Sequence, residues 1–192
     1  MAEVLEIRWH GRGGQGAKTA ALLFGEAALE TGKYIQSFPE YGPERMGAPV
    51  AAFNRLSDKP IWSHSGIKNP DIVVVLDPSL IEVANATEGL KPDGILLINT
   101  QESPEAVRQR LGLPVTIRVY TVDASTIALE TVGRDVPNTP MLGALARVSG
   151  VLDLEPMIEA IRSKLAAKFR SREKLVEANL QSIRRAYQEV KG

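Results

Sequence analysis

Cysteine is absent from all 192 residues. That excludes disulfides, thiolate zinc sites, a cysteine nucleophile and any iron–sulfur cluster ligated by this chain. Net charge is absent as well, because 23 Lys and Arg balance 23 Asp and Glu. A neutral chain exerts no global pull on nucleic acid or an anionic membrane, so neither is expected as a partner. Histidine is reduced to His10 and His64, too few for a histidine metal site. No run approaches the roughly 18 apolar residues of a membrane span. Met1 to Trp9 lacks a basic region followed by an apolar core, so no export signal is expected and the cytoplasm is the expected compartment.

What is present describes a folded protein. Hydrophobic residues make up 44% and charged residues 24%, as in ordinary globular domains. The length suits one domain spanning 1–192. Residues 151–192 hold nine Lys/Arg against six acids, which makes them +3 and residues 1–150 −3. A solvated helical face accounts for that excess.

Leu5, Ile7 and Trp9 alternate with Glu6 and Arg8 as in a strand. The cluster Gly11-Arg12-Gly13-Gly14-Gln15-Gly16 follows, and Ala17 to Thr31 reads as a helix ended by Gly32. Tyr34 to Phe38 is a short strand. Pro39 to Pro49 is a proline- and glycine-rich loop, and Val50 to Leu56 resumes strand character. The apolar runs 71–76 and 94–100 suit central parallel strands buried on both faces, with a short helix near 79–86 between them. Ser103-Pro104 opens a helix, and Val115 to Val122 is a strand. Asp123 caps a helix over 124–132, and Thr139-Pro140 opens another over 141–148. From about residue 153 the chain is helical. Val176, Leu180, Ile183, Tyr187 and Val190 form one apolar stripe.

Alternating strands and helices imply an α/β fold: a Rossmann-like, doubly wound, mostly parallel sheet with a helical C-terminus. In such a sheet ligands and partners meet the carboxyl ends of the strands. The glycine cluster, the 39–49 loop and the Asp77-Pro78 turn all fall there.

Gly11-x-Gly13-x-x-Gly16 matches the dinucleotide fingerprint in spacing. The second strand ends at Gln36-Ser37-Phe38 without the acid that takes ribose hydroxyls, which disfavours an NAD(P) site. A phosphate loop fails because Ala17 separates Gly16 from Lys18-Thr19. One inserted residue turns both side chains by about 100° around the helix. Two readings stay open for the turn: anion binding at free backbone N–H groups, or a tight strand-to-helix connection with nothing bound. Gln15 is the suggestive residue, since its amide donates and accepts at once. His10 is read as a packing or hydrogen-bonding residue. Ser63-His64-Ser65 is not read as a catalytic dyad, because sequence neighbours rarely reach that geometry. From its chemistry alone the chain binds or supports and does not catalyse unaided.

Three segments together carry a family likeness: Gly11 to Gly16, the loop Ser37 to Pro49 with its Tyr41-Gly42-Pro43-Glu44-Arg45 core, and Pro137 to Ala144. From Ile7 to about Tyr187 the chain resembles the gamma subunit of 2-oxoacid:ferredoxin oxidoreductases, most closely of the pyruvate type. The resemblance implies that partner subunits of alpha, beta and delta type hold thiamine diphosphate and the iron–sulfur clusters. The assembled enzyme converts pyruvate and coenzyme A to acetyl-CoA and carbon dioxide with reduction of ferredoxin, and this chain alone binds no cofactor. It further implies that Gly11, Gly13, Gly14, Gln15, Gly16, Tyr41, Glu44 and Arg45 face coenzyme A or another subunit. Met46 departs from the arginine that the resemblance leads one to expect there, which removes one phosphate contact. Branched-chain 2-oxoacid enzymes and an autonomous nucleotide-binding module remain the alternatives.

Overall fold

The computed structural model describes residues 4–39, 47–170 and 172–192. Six strands form one sheet: β1 (Leu5–Arg12), β2 (Tyr34–Pro39), β3 (Pro49–Ser57), β4 (Ile72–Val75), β5 (Ile95–Asn99) and β6 (Arg118–Val122). Seven helices accompany them: α1 (Ala17–Glu30), α2 (Leu80–Val83), α3 (Pro104–Leu111), α4 (Ala124–Val132), α5 (Asn138–Ser149), α6 (Leu154–Phe169) and α7 (Glu173–Glu189).

The sheet order is β2-β3-β1-β4-β5-β6. The run β1-β4-β5-β6 is parallel throughout, as the apolar strands led one to expect. Both faces of this run are buried. Ile72, Val74, Ile95 and Leu97 join the larger core under α1, α5, α6 and α7. Val73, Val75, Leu96 and Ile98 join a smaller core with Ile81 of α2 and Val107 of α3. Such strands need apolar residues at every position, which is why they read as continuous runs.

The other half makes the mostly parallel sheet a mixed one. β3 is antiparallel to both β1 and β2, and it occupies the place beside β1 where a dinucleotide-binding fold sets a parallel strand. At the carboxyl end of β1, Gly11 and Arg12 pair with Val50 and Pro49, the first residues of β3. The place beside β1 at that end is thus taken by the start of β3, whose Pro49 and Val50 offer no acid to ribose hydroxyls. The same pairing lengthens β1 into the glycine cluster.

Buried polar groups fix the layers. Trp9 Nε1 donates to Asn54 Oδ1 at 2.7 Å, and Asn54 Nδ2 donates to Ala21 O at 2.8 Å and Ser37 Oγ at 2.7 Å. One amide thus ties β1, α1, β2 and β3, and Trp9 packs edge-on to Phe24. Ser103 and Asp123 cap their helices as their sequence positions suggest, accepting from the N–H of Ala106 and Thr126. Thr139 does not. The helix α5 begins one residue earlier, at Asn138, and the Thr139 hydroxyl lies inside it, donating to Asn179 Oδ1 of α7 at 3.0 Å.

Part of the basic excess of the C-terminal helices meets acids elsewhere in the chain, through Arg185 with Glu130 at 2.7 Å and Lys164 with Glu26 at 3.8 Å. Arg184 with Glu155 and Arg162 with Glu177 pair within the segment. Among the described residues no helix is long and apolar enough to cross a membrane.

Candidate functional site

A polar residue stands at or just past the end of each parallel strand: Arg12 ends β1, Asp77 lies two residues beyond β4, Asn99 ends β5 and Asp123 follows β6. The register Ile7↔Ile72 to His10↔Val75, carried two residues further, sets Arg12 against Asp77. Arg12 Nε donates to Asp77 Oδ2 at 3.0 Å and its Nη2 to Ser79 Oγ at 2.8 Å. Its remaining branch, Nη1, donates to Gly47 O at 3.0 Å. One guanidinium therefore joins the glycine turn, the β4–α2 turn and the end of the 39–49 loop.

Gln15 uses both ends of its amide, as its position suggested. Its Oε1 accepts from the Arg12 N–H at 2.7 Å, and its Nε2 donates to Asp77 Oδ2 at 3.1 Å. Burial by itself raises the Asp77 carboxyl. Hydrogen bonds from the Ser79 hydroxyl and N–H and from Gln15, with the Arg12 charge, more than offset that and hold it below the usual carboxylate range. Asp77 is thus an anion that positions its neighbours.

The glycines fall into two kinds. Gly14 (φ 100°) and Gly16 (φ 85°) occupy the left-handed region, where a side chain is strained. A Cβ on Gly16 would also stand 2.8 Å from Asn138 Nδ2. Gly16 thus lets the turn sit directly on α5, bringing two of the three resemblance segments into contact. Gly13 is bonded on both sides to the loop end: its N–H donates to Ala48 O at 2.9 Å and its carbonyl accepts from Gly47 N at 3.1 Å. A Cβ on Gly11 would stand 3.0 Å from the Ala17 Cβ.

The helix α1 opens at Ala17 with no side-chain cap and no acid in its first turn. Its leading N–H groups and positive dipole end are therefore offered at this edge, an arrangement that favours an anion. Tyr41, Glu44, Arg45 and Met46 lie outside the described residues. The residues on either side of that segment, Pro39 and Gly47, are both fixed at this edge by β2–β3 pairing and by Gly13 and Arg12.

Arg12 and Ser79 were not singled out by sequence reasoning, although Arg12 lies within the glycine cluster, and Asp77 entered only as part of a turn at this edge. The available signal was position: an acid two residues past the end of a central parallel strand, in line with the arginine that ends its neighbour. At the same edge Asn99 Nδ2 donates to Leu76 O at 2.9 Å and to Ser125 Oγ at 3.0 Å, closing the gap between β4 and α4.

His10 does not join this edge chemistry. It is buried lower on β1, on the face it shares with Arg8, beside a cleft of about 530 Å³ with Arg8, Phe53, Lys68 and Glu88 on its walls. Burial first, and then the Arg8 charge, lower its pKa to about 4. Ser63 Oγ lies 3.1 Å from Ser65 Oγ, so the Ser-His-Ser stretch forms no nucleophile dyad. Among the described residues no three His, Cys, Asp or Glu side chains are grouped to hold a metal.

Comparison with known proteins bears on this edge. A family model described as "Pyruvate ferredoxin/flavodoxin oxidoreductase" matches residues 6–189. The chain is 52% identical over 186 residues to the pyruvate synthase subunit PorC of Thermotoga maritima, covering 97% of this chain and 94% of that one. It is 46% identical to the pyruvate/ketoisovalerate oxidoreductases common subunit gamma of Pyrococcus abyssi, covering 97% of each. The crystal structure of pyruvate oxidoreductase subunit PORC from Thermotoga maritima superposes with a TM-score of 0.84 at 48% identity, covering 98% of both chains. The chain belongs to the pyruvate ferredoxin/flavodoxin oxidoreductase family.

Proposed function

We propose that this chain is the gamma-type subunit of a pyruvate:ferredoxin oxidoreductase, and that its glycine-turn edge faces coenzyme A or the subunit surface that receives it. The observation that carries the first half is the 52% identity to a pyruvate synthase subunit along nearly the whole length of both chains. The second half rests on the edge itself: an uncapped α1, an arginine clasp and a glycine turn suited to a phosphate-bearing ligand. The enzyme takes pyruvate, coenzyme A and oxidised ferredoxin to acetyl-CoA, carbon dioxide and reduced ferredoxin. On this reading the family resemblance assigns thiamine diphosphate and the iron–sulfur clusters to the other subunits, and a chain without cysteine ligates no cluster itself. Its own residues bind and orient.

A second reading is favoured by one observation. The relative from Pyrococcus abyssi is named as a subunit common to pyruvate and ketoisovalerate enzymes. On that reading the same chain serves two oxidoreductases and the choice of 2-oxoacid lies in the partners. Reconstitution tests both. Ferredoxin reduction by pyruvate is expected to require this chain alongside the thiamine-bearing and cluster-bearing subunits, and full activity without it contradicts the proposal. Branched-chain 2-oxoacids oxidised by a second set of partners with this same chain would favour the shared-subunit reading.

A further inference from the structure

The two edges of the sheet are finished differently. At the β6 edge the chain closes on itself: Thr121 N donates to Lys191 O and Lys191 N donates to Thr121 O, each at 2.9 Å. At the β2 edge no described backbone group pairs with the outward side of Tyr34–Pro39. Unprotected edges invite strand addition, so proteins ordinarily blunt them with charge, proline or a covering element. This edge carries such devices only at its ends, with Lys33 paired to Asp58 at 2.9 Å before the strand and Pro39 closing it. Tyr34 on the strand is 48% exposed, and Trp62, next to the Ile61 that Gln36 of β2 contacts, is 84% exposed.

Trp62 is held out on a fixed support. Arg55 beneath it is 2% exposed and lies 5.6 Å from the Phe38 ring centroid. Its Nε donates to Glu6 Oε1 at 2.8 Å, its Nη2 to Ser65 O at 2.6 Å and its Nη1 to Ser63 O at 3.5 Å. Gln36 Nε2 reaches Ile61 O at 3.5 Å from β2. The residues on both sides of Trp62 are therefore tethered to the sheet. Two residues further on, His64 joins Gln36, Ser37, Phe38 and Arg55 in lining a hollow of about 400 Å³. An exposed tryptophan on a tethered backbone, next to a hollow floored by Phe38 and a buried arginine, has the composition of an interface hot spot.

We infer that the β2 edge, the Trp62 loop and the adjoining hollow form the docking face for an extended segment of another subunit of the same enzyme. That segment covers Trp62 and places an apolar side chain against Phe38. The choice of occupant rests on the gamma-subunit reading above and on continuity. β2 runs directly into the segment 40–46 and the glycine-turn edge, and a chain without catalytic groups of its own must have that edge apposed to the subunit that supplies them. A chain lying on β2 is carried to that place by the direction of the strand.

The test compares hydrogen exchange in the isolated chain and in the complex purified from native cells. Peptides covering 34–39 and 57–66 are expected to exchange at least about 10-fold more slowly in the complex. The variant Trp62→Ser, folded because the side chain is exposed, is expected to weaken assembly about 30-fold or more, the scale of an interface hot spot. Val115→Ser, equally exposed but remote, is expected to leave assembly unchanged. A complex that forms with those peptides unprotected, or with Trp62→Ser harmless, overturns the docking face and leaves the subunit reading standing. Protection that arises instead in the isolated chain, together with dimer sedimentation, assigns the face to a second copy and overturns the choice of occupant. A chain that carries no other subunit overturns both readings.

Discussion

Arg12 Nε stands 3.0 Å from Asp77 Oδ2 across the carboxyl ends of β1 and β4, and the same guanidinium reaches Ser79 Oγ and Gly47 O. Their side chains are 31% and 20% exposed, so the pair itself contributes about 1 kcal/mol. Its larger effect is on position. Arg12→Ala removes one of the bonds that hold Gly47 to the glycine turn and is expected to raise the apparent KM for coenzyme A in the assembled enzyme by about 10-fold, while lowering stability by about 1 kcal/mol. An unchanged KM removes the clasp from substrate binding.

Arg45→Ala is expected to raise the same KM through loss of a charge-assisted contact to phosphate, by about 10- to 150-fold for a bond worth about 1.5–3 kcal/mol. The two substitutions separate through stability. Arg12→Ala lowers the denaturation midpoint of the isolated chain, whereas Arg45→Ala is expected to leave it unchanged.

The lowered pKa values place two pH effects in separate windows. His10 falls from 6.5 to about 4, so the unfolded chain takes up its proton before the folded one does. Its contribution is complete above pH 6.5 and is lost as pH falls to about 4, which amounts to about 3 kcal/mol across that window. The Asp77 carboxyl is lowered as well, so its contribution is complete above an ordinary carboxylate value of about 4 and is lost only below that. Urea unfolding at pH 7 and pH 4.5 measures the first effect. In His10→Gln the loss between those two values is expected to shrink by most of that amount.

Gly143 belongs to the third resemblance segment, and the structure gives it a packing role. A Cβ there would overlap the Ile183 carbonyl oxygen of α7. Gly143→Ala must push two helices apart, with an expected loss of about 1–3 kcal/mol or more in chemical denaturation. A neutral result would mean that α5 and α7 are not held at this distance.

Much of this was legible in the residues because the signals were local. Continuous apolar runs gave β4 and β5, Ser103 and Asp123 gave their caps, and the positions of Gly11 to Gly16 and Asp77-Pro78 placed the edge. Where reading went astray the determinant was distant. β3 is antiparallel because it returns from β2 across the 39–49 loop, and its own residues carry no mark of strand direction. Thr139 looks like a cap until Asn179, forty residues on, supplies its partner. Arg12 and Asp77 are 65 residues apart and meet only through the parallel register of β1 with β4.

The measurement that tests the central claim most directly is the composition of the native assembly. Purified from its own cells under anaerobic conditions, the chain is expected in a multi-subunit complex containing iron, acid-labile sulfide and thiamine diphosphate. That complex should reduce ferredoxin only when both pyruvate and coenzyme A are supplied. A lone chain, free of iron-bearing and thiamine-bearing partners, would contradict the account.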